Sequence, residues 1–111
     1  MKSDFTLTDA GVMILTLDGK LDTATSPGVE KEIGENFSRS LRWLVDMAKV
    51  DYVSSAGLRV LLQLAKKLQA ADGKLAISSL NGDELEVFEI SGFSLIFDIY
   101  DRNEEALHAL G

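Results

Sequence analysis

Ser54 and Ser55 are the residues of this chain most open to chemistry. They stand side by side in Val53-Ser54-Ser55-Ala56-Gly57, just ahead of Leu58, Leu61, Leu62, Ala65 and Leu68 at helical spacing, so both fall at a helix start. One hydroxyl there serves as N-cap, satisfying a backbone N–H that has no partner within the helix. A second hydroxyl exceeds what a cap requires. Followed by small Ala56 and Gly57, it is open to another protein's active site. The helix dipole would tolerate a phosphate on it, while any surface docked over it would meet about −1.5 to −2 added charges.

The other polar candidates lie in segments that each follow a strand: Gly19–Ser26 with Asp22, Thr23 and Thr25; Asp46–Ser55 with Asp46 and Asp51; Ser78–Asp83 with Ser79 and Asn81. In open α/β sheets such segments gather at one edge. Asp22 and Asp46 are expected to approach each other there, either as loop caps or as a carboxylate pair suited to acid/base work or magnesium. The set holds hydroxyls and carboxylates but no histidine. His108, the only one, falls in the C-terminal helix, where a solvated side chain favoured by the helix dipole is the ordinary role. Ser54-Ser55 lacks the Gly-x-Ser-x-Gly elbow, and no phosphate-cradling glycine loop follows any strand. With no cysteine in the chain, thiolate nucleophiles, thiolate metal sites and disulfides are excluded. No catalytic residue, metal or cofactor is expected. The series Asp83-Glu84-Glu86-Glu89 suits the positive end of its own helix, with a solvated face beyond.

The positioning elements follow from apolar periodicity. Phe5–Thr8 and Val12–Leu17 read as strands joined at Asp9-Ala10-Gly11 in an antiparallel hairpin. Ser26 as N-cap and Pro27 at the first helical position open a helix carrying Val29, Ile33 and Phe37 and ending near Arg39. Trp43–Asp46 reads as a short buried strand, and the long helix from Ser54-Ser55 closes at Asp72-Gly73. Leu75–Ser78 is a strand, Asn81-Gly82-Asp83 opens a helix through Ile90, and Phe97–Tyr100 is a last short strand. Asp101 and Glu104 resemble a capping pair before a terminal helix. The order β-β-α-β-α-β-α-β-α implies an α/β fold: a mixed, mostly parallel sheet with an antiparallel strand from the opening hairpin and about four helices.

At 111 residues, 46% of them hydrophobic, the chain is expected to form one domain over 1–111 that needs no staples. Its 11 Lys+Arg against 18 Asp+Glu give a net charge of −7, which opposes nucleic acid and anionic membrane surfaces and favours basic protein partners. No apolar stretch approaches the roughly 20 residues of a membrane span, and Met1–Asp9 is too polar for a signal peptide. A cytoplasmic protein is expected, and a monomer, since no apolar stripe is left unexplained.

Three segments in order carry a family resemblance. Gly19-Lys20-Leu21-Asp22-Thr23-Ala24-Thr25, then Leu44-Val45-Asp46 through Ser54-Ser55-Ala56-Gly57-Leu58, then Phe88–Phe93 with Ile96–Asp101 together resemble the STAS domain. This is the sulfate-transporter and anti-sigma-factor-antagonist module, and the chain is most similar to its stand-alone bacterial anti-sigma factor antagonists. The resemblance implies a STAS-like fold and a partner switch. Unphosphorylated, such a protein binds an anti-sigma factor that is itself a serine kinase. Phosphorylation weakens the complex, and a serine phosphatase resets it. The family's Asp-Ser-[Ser/Thr]-Gly-Leu pattern puts Ser54 at the aspartate position, Ser55 at the phospho-acceptor and Ala56 at the next hydroxyl. Ser55 is therefore assigned as acceptor, with Ser54 competing. The implied contact surface comprises Asp22, Thr23, Thr25, Asp46, Ser54, Ser55, Gly57 and Leu58. A STAS module that senses a small ligand or nucleotide, or acts as a scaffold without being phosphorylated, is the alternative.

Overall fold

Alternation in Met13–Leu21, where Met13, Leu15, Leu17 and Leu21 are buried, places one face of this strand against a core and frees the other. A computed structural model describes residues 1–111, the Ser94 side chain excepted. Its elements are β1 (Lys2–Leu7), β2 (Met13–Leu21), α1 (Ser26–Asn36), a short 3-10 turn at Phe37–Arg39, β3 (Arg42–Val53) and α2 (Ser55–Ala70). There follow β4 (Lys74–Ser78), α3 (Gly82–Ile90), a second 3-10 turn at Phe93–Leu95, β5 (Asp98–Tyr100) and α4 (Asn103–Leu110). The five strands form one sheet in the order β1-β2-β3-β4-β5. β1 runs antiparallel to β2, and every other neighbouring pair is parallel. The mixed α/β architecture and its four helices match the expectation.

Period-two alternation splits the sheet residues between two layers. Met13, Leu15, Leu17, Trp43, Val45, Met47 and Ile77 face α1, α2 and α3 in the main core with Ile33, Leu61, Leu64 and Phe88. Phe5 meets Trp43 edge-on at 6.0 Å between ring centroids, within the range of favourable aromatic pairs. Val12, Leu44 and Ala76 point the other way and pack under Ala106 and Leu110 of α4.

Several boundaries differ from the sequence reading. β3 is not confined to Trp43–Asp46 but continues to Val53, because β2 also continues and pairs Asp18–Leu21 with Lys49–Val53 after a register shift near Asp18. Polar Lys49 and Asp51 sit on its exposed side, which hid the strand from a hydrophobic reading. Ser26 is not the N-cap of α1. Thr25 holds that position, while Ser26 is buried and its Oγ donates to the Asp22 carbonyl at 2.5 Å. α4 starts after Arg102, with no side-chain cap from Asp101.

α1 contains two glycines, Gly28 and Gly34, beside which an added Cβ would meet nothing within 4 Å. Alanine is the better helix former by about 1 kcal/mol. Gly34→Ala is therefore expected to stabilise the fold by about 0.5–1 kcal/mol, read as a raised urea midpoint at unchanged slope.

Candidate functional site

The amino end of α2 is built by the joint continuation of β2 and β3. At the end of β2, the Ser54 N–H donates to the Leu21 carbonyl at 2.9 Å, so the strand hands the chain directly to the helix. Ser54 then acts as N-cap, its Oγ accepting from the Gly57 N–H at 3.3 Å while its carbonyl accepts from the Leu58 N–H at 2.9 Å. Ser55 occupies the first helical position and is exposed, whereas Ser54 is half-buried. The two hydroxyls are thus separated in role: one satisfies the helix, the other faces solvent. Replacing Ser54 by alanine removes a cap and is expected to lower stability by about 1 kcal/mol. That loss is readable in the unfolding midpoint.

Asp22 and Thr25 shape the neighbouring turn. Asp22 Oδ1 accepts from the backbone N–H groups of Ala24 at 3.0 Å and Thr25 at 3.1 Å. Thr25 Oγ1 accepts from the Asp22 N–H at 3.0 Å and donates to the Lys20 carbonyl at 2.8 Å. The Thr25 N–H in particular holds the Asp22 carboxyl below the usual carboxylate range against the opposing effect of desolvation, helped by the Thr25 hydroxyl, the Ala24 N–H and Lys20. Thr23 at the tip is exposed. Between this turn and α2 lies an open groove of about 310 Å³ whose walls include Thr23, Pro27, Glu30, Ala56, Arg59 and Gln63. Among the described residues no group of three histidine, cysteine or carboxylate side chains is placed to hold a metal ion.

Two parts of the expected contact surface lie elsewhere. Asp46 does not approach Asp22. It pairs with Thr16 on β2, five residues before Leu21, which is roughly 16 Å of extended chain. Asp46 also belongs to the alternate set with Leu44 that faces α4. Its carboxylate accepts from the Ala48 N–H at 3.0 Å and from Asn103 Nδ2 at 2.9 Å, and Asn103 Oδ1 accepts in turn from the Ser78 hydroxyl. Asp46 therefore ties β3 to β4 and α4. Gly57 and Leu58 are buried against β2, so neither can present a side chain to a partner. Asn81 caps α3, and exposed His108 lies in the last turn of α4, as expected.

Glu84 is the residue the sequence reading misplaced. It is only 4% exposed rather than part of a solvated face, and it forms a reciprocal capping box with Asn81: Asn81 Oδ1 accepts from the Glu84 N–H at 2.8 Å and Glu84 Oε1 from the Asn81 N–H at 3.1 Å. The signal was present as a capping residue three places before a glutamate.

A family model of the STAS domain matches residues 6–106. BtrV of Bordetella bronchiseptica, assigned as an anti-sigma factor antagonist, is 39% identical over 100 residues, covering 89% of this chain and 86% of the relative. Among solved structures, an anti-sigma factor antagonist assigned in Thermotoga maritima superimposes with a TM-score of 0.91 at 21% identity, covering 97% of this chain and 93% of that one. The Bacillus cell fate determinant SpoIIAA, in its phosphorylated form, superimposes with a TM-score of 0.77 at 16% identity, covering 99% of this chain and 100% of that one. Among the described residues no helix is long and apolar enough to cross a membrane.

Proposed function

Because the chain belongs to the STAS-domain family, we propose that it is an anti-sigma factor antagonist released from an anti-sigma factor serine kinase by phosphorylation of Ser55. The observation that carries this reading is the division of labour between the adjacent serines: Ser54 is spent as the cap of α2 and Ser55 is exposed at its first position. A helix N-terminus accommodates a phosphate without unfolding, and Arg59, also exposed, lies four residues on along the same helix face. The site regulates rather than catalyses, since the one histidine of the chain, His108, lies in α4 and offers Ser55 no base. The Asp22–Thr25 turn, Ser54, Ser55 and the groove beside Arg59 form the docking surface, with buried Gly57 and Leu58 seating the helix beneath it. A serine phosphatase resets the switch. The net charge of −7 suits a cytoplasmic protein with protein rather than nucleic-acid partners, and it works as a single domain and as a monomer.

Incubation with a candidate anti-sigma factor kinase and ATP, followed by intact mass measurement, tests the assignment. One added phosphate is expected on the native chain and on Ser54→Ala, and none on Ser55→Ala. Phosphate retained by Ser55→Ala but lost from Ser54→Ala would transfer the role to Ser54 and refute this assignment.

A further inference from the structure

Beside the phospho-acceptor, on the far side of β3 from the Asp22 turn, lies a second recess. It is a cavity of about 180 Å³ between the end of β3 and α3, whose walls include Asp51, Tyr52, Val53, Glu84, Val87 and Phe88. Tyr52 and Val87 are exposed for residues of their kind, at 52% and 40%. Glu84 is buried among them, and while Oε1 is used by the capping box, Oε2 is a buried oxygen with no hydrogen-bond partner. An unpaired buried carboxylate oxygen is costly. Burial above all pushes the Glu84 carboxyl up, with Asp51 and Asp83 adding to the shift against the Asn81 N–H. None of the residues lining the recess is basic.

We propose that this recess receives a cationic side chain, arginine in the first instance, from the partner protein that docks at Ser55. The inference rests on the docking surface proposed above and adds to it the chemistry of one partner contact. A long basic side chain has an apolar stem and a charged head. The stem fits against Tyr52, Val53, Val87 and Phe88, and the head meets exposed Asp51, with the orphan oxygen of Glu84, covered by its own chain in the free protein, becoming its second acceptor when the Glu84 side chain turns toward the recess. A guanidinium supplies several donors in a fixed plane, enough for two carboxylates at once. A bare metal ion suits the recess poorly, because its three acidic residues, Asp51, Asp83 and Glu84, are not placed to hold one together among the described residues, and Val53, Val87 and Phe88 add only hydrocarbon. Asp51 and Ser55 are four residues apart across the β3–α2 junction, so a partner covering one reaches the other.

The test uses the full chain and a probe that does not depend on phosphorylation. Titration with acetyl-arginine amide, followed by amide and carboxyl NMR shifts, is expected to give saturable changes confined to Asp51–Val53 and Glu84–Phe88. The uncharged isostere acetyl-citrulline amide should give none. Glu84→Gln keeps the capping box, since glutamine also serves at that position, and Asp51→Asn lies on an exposed strand side; each is expected to weaken the probe about tenfold, equivalent to 1.4 kcal/mol. Equal responses to arginine and citrulline, or full binding by both variants, would overturn the proposal. So would the same shifts growing as the chain alone is concentrated, which would give the recess to a second copy. Failure of the titration would thus remove the recess and leave the phosphorylation switch standing, whereas loss of the switch in the mass experiment would not alter the titration.

Discussion

Ser55→Asp is expected to bind the anti-sigma factor kinase about a hundredfold more weakly than Ser55→Ala, a difference of about 2.7 kcal/mol. Both variants should unfold within about 0.5 kcal/mol of the native chain. The two halves of this expectation come from one geometry. Ser54, not Ser55, supplies the cap hydrogen bond, so truncating Ser55 leaves the helix end satisfied. An aspartate at the first helical position is favoured by the dipole. Stability is therefore insensitive to the charge at Ser55, while a docked surface is not: a carboxylate buried under a partner must be desolvated and faces whatever acidic groups that partner brings. Paired calorimetric binding and urea unfolding of the two variants check it. Equal affinities would end the switch hypothesis, and a weak Ser55→Asp complex explained by lost stability would show in the unfolding curve.

Gly57→Ala is expected to destabilise the chain despite alanine's better helix propensity. A Cβ at Gly57 would lie 2.6 Å from the Leu21 carbonyl oxygen and 2.7 Å from Leu21 Cγ, closer than side chains tolerate. The same carbonyl accepts from the Ser54 N–H, so α2 cannot back away without stretching the bond that seats it on β2. Overpacking of this kind costs about 1–3 kcal/mol, whereas alanine returns at most about 1 kcal/mol in the helix. The clash wins, and a fall of several degrees in the unfolding midpoint is expected. Gly34→Ala, with open space around it, should move the other way in the same assay. A Gly57→Ala chain as stable as the native one would show that Leu21 yields freely. It would also mean that Gly57 does not set where Ser55 stands.

Both results depend on features visible to different degrees in the chain itself. The hairpin, the long amphipathic helix from Ser55, the parallel strands and the order of elements follow from apolar spacing, and so does the choice of a serine pair at a helix start. The extension of β3 through Val53 was not readable, because Lys49, Asp51 and Tyr52 are exposed and mimic a loop. Its partner, the end of β2, is remote in sequence. The displacement of Asp46 from the site follows from the same pleat: it is one residue away from the set that faces α2, and one residue in a strand means the opposite face.

Local pattern alone decided that this molecule is an α/β sheet protein with two hydroxyls at the start of its longest helix, because periodicity and capping are properties of neighbouring residues. Tertiary structure alone decided which hydroxyl is free, which carboxylates stand near it, and that Glu84 is buried with an oxygen unpaired. Those answers depend on where β2 ends against α2 and where α3 lies against β3. Such contacts join residues distant along the chain, and their distances are set by packing rather than by spacing.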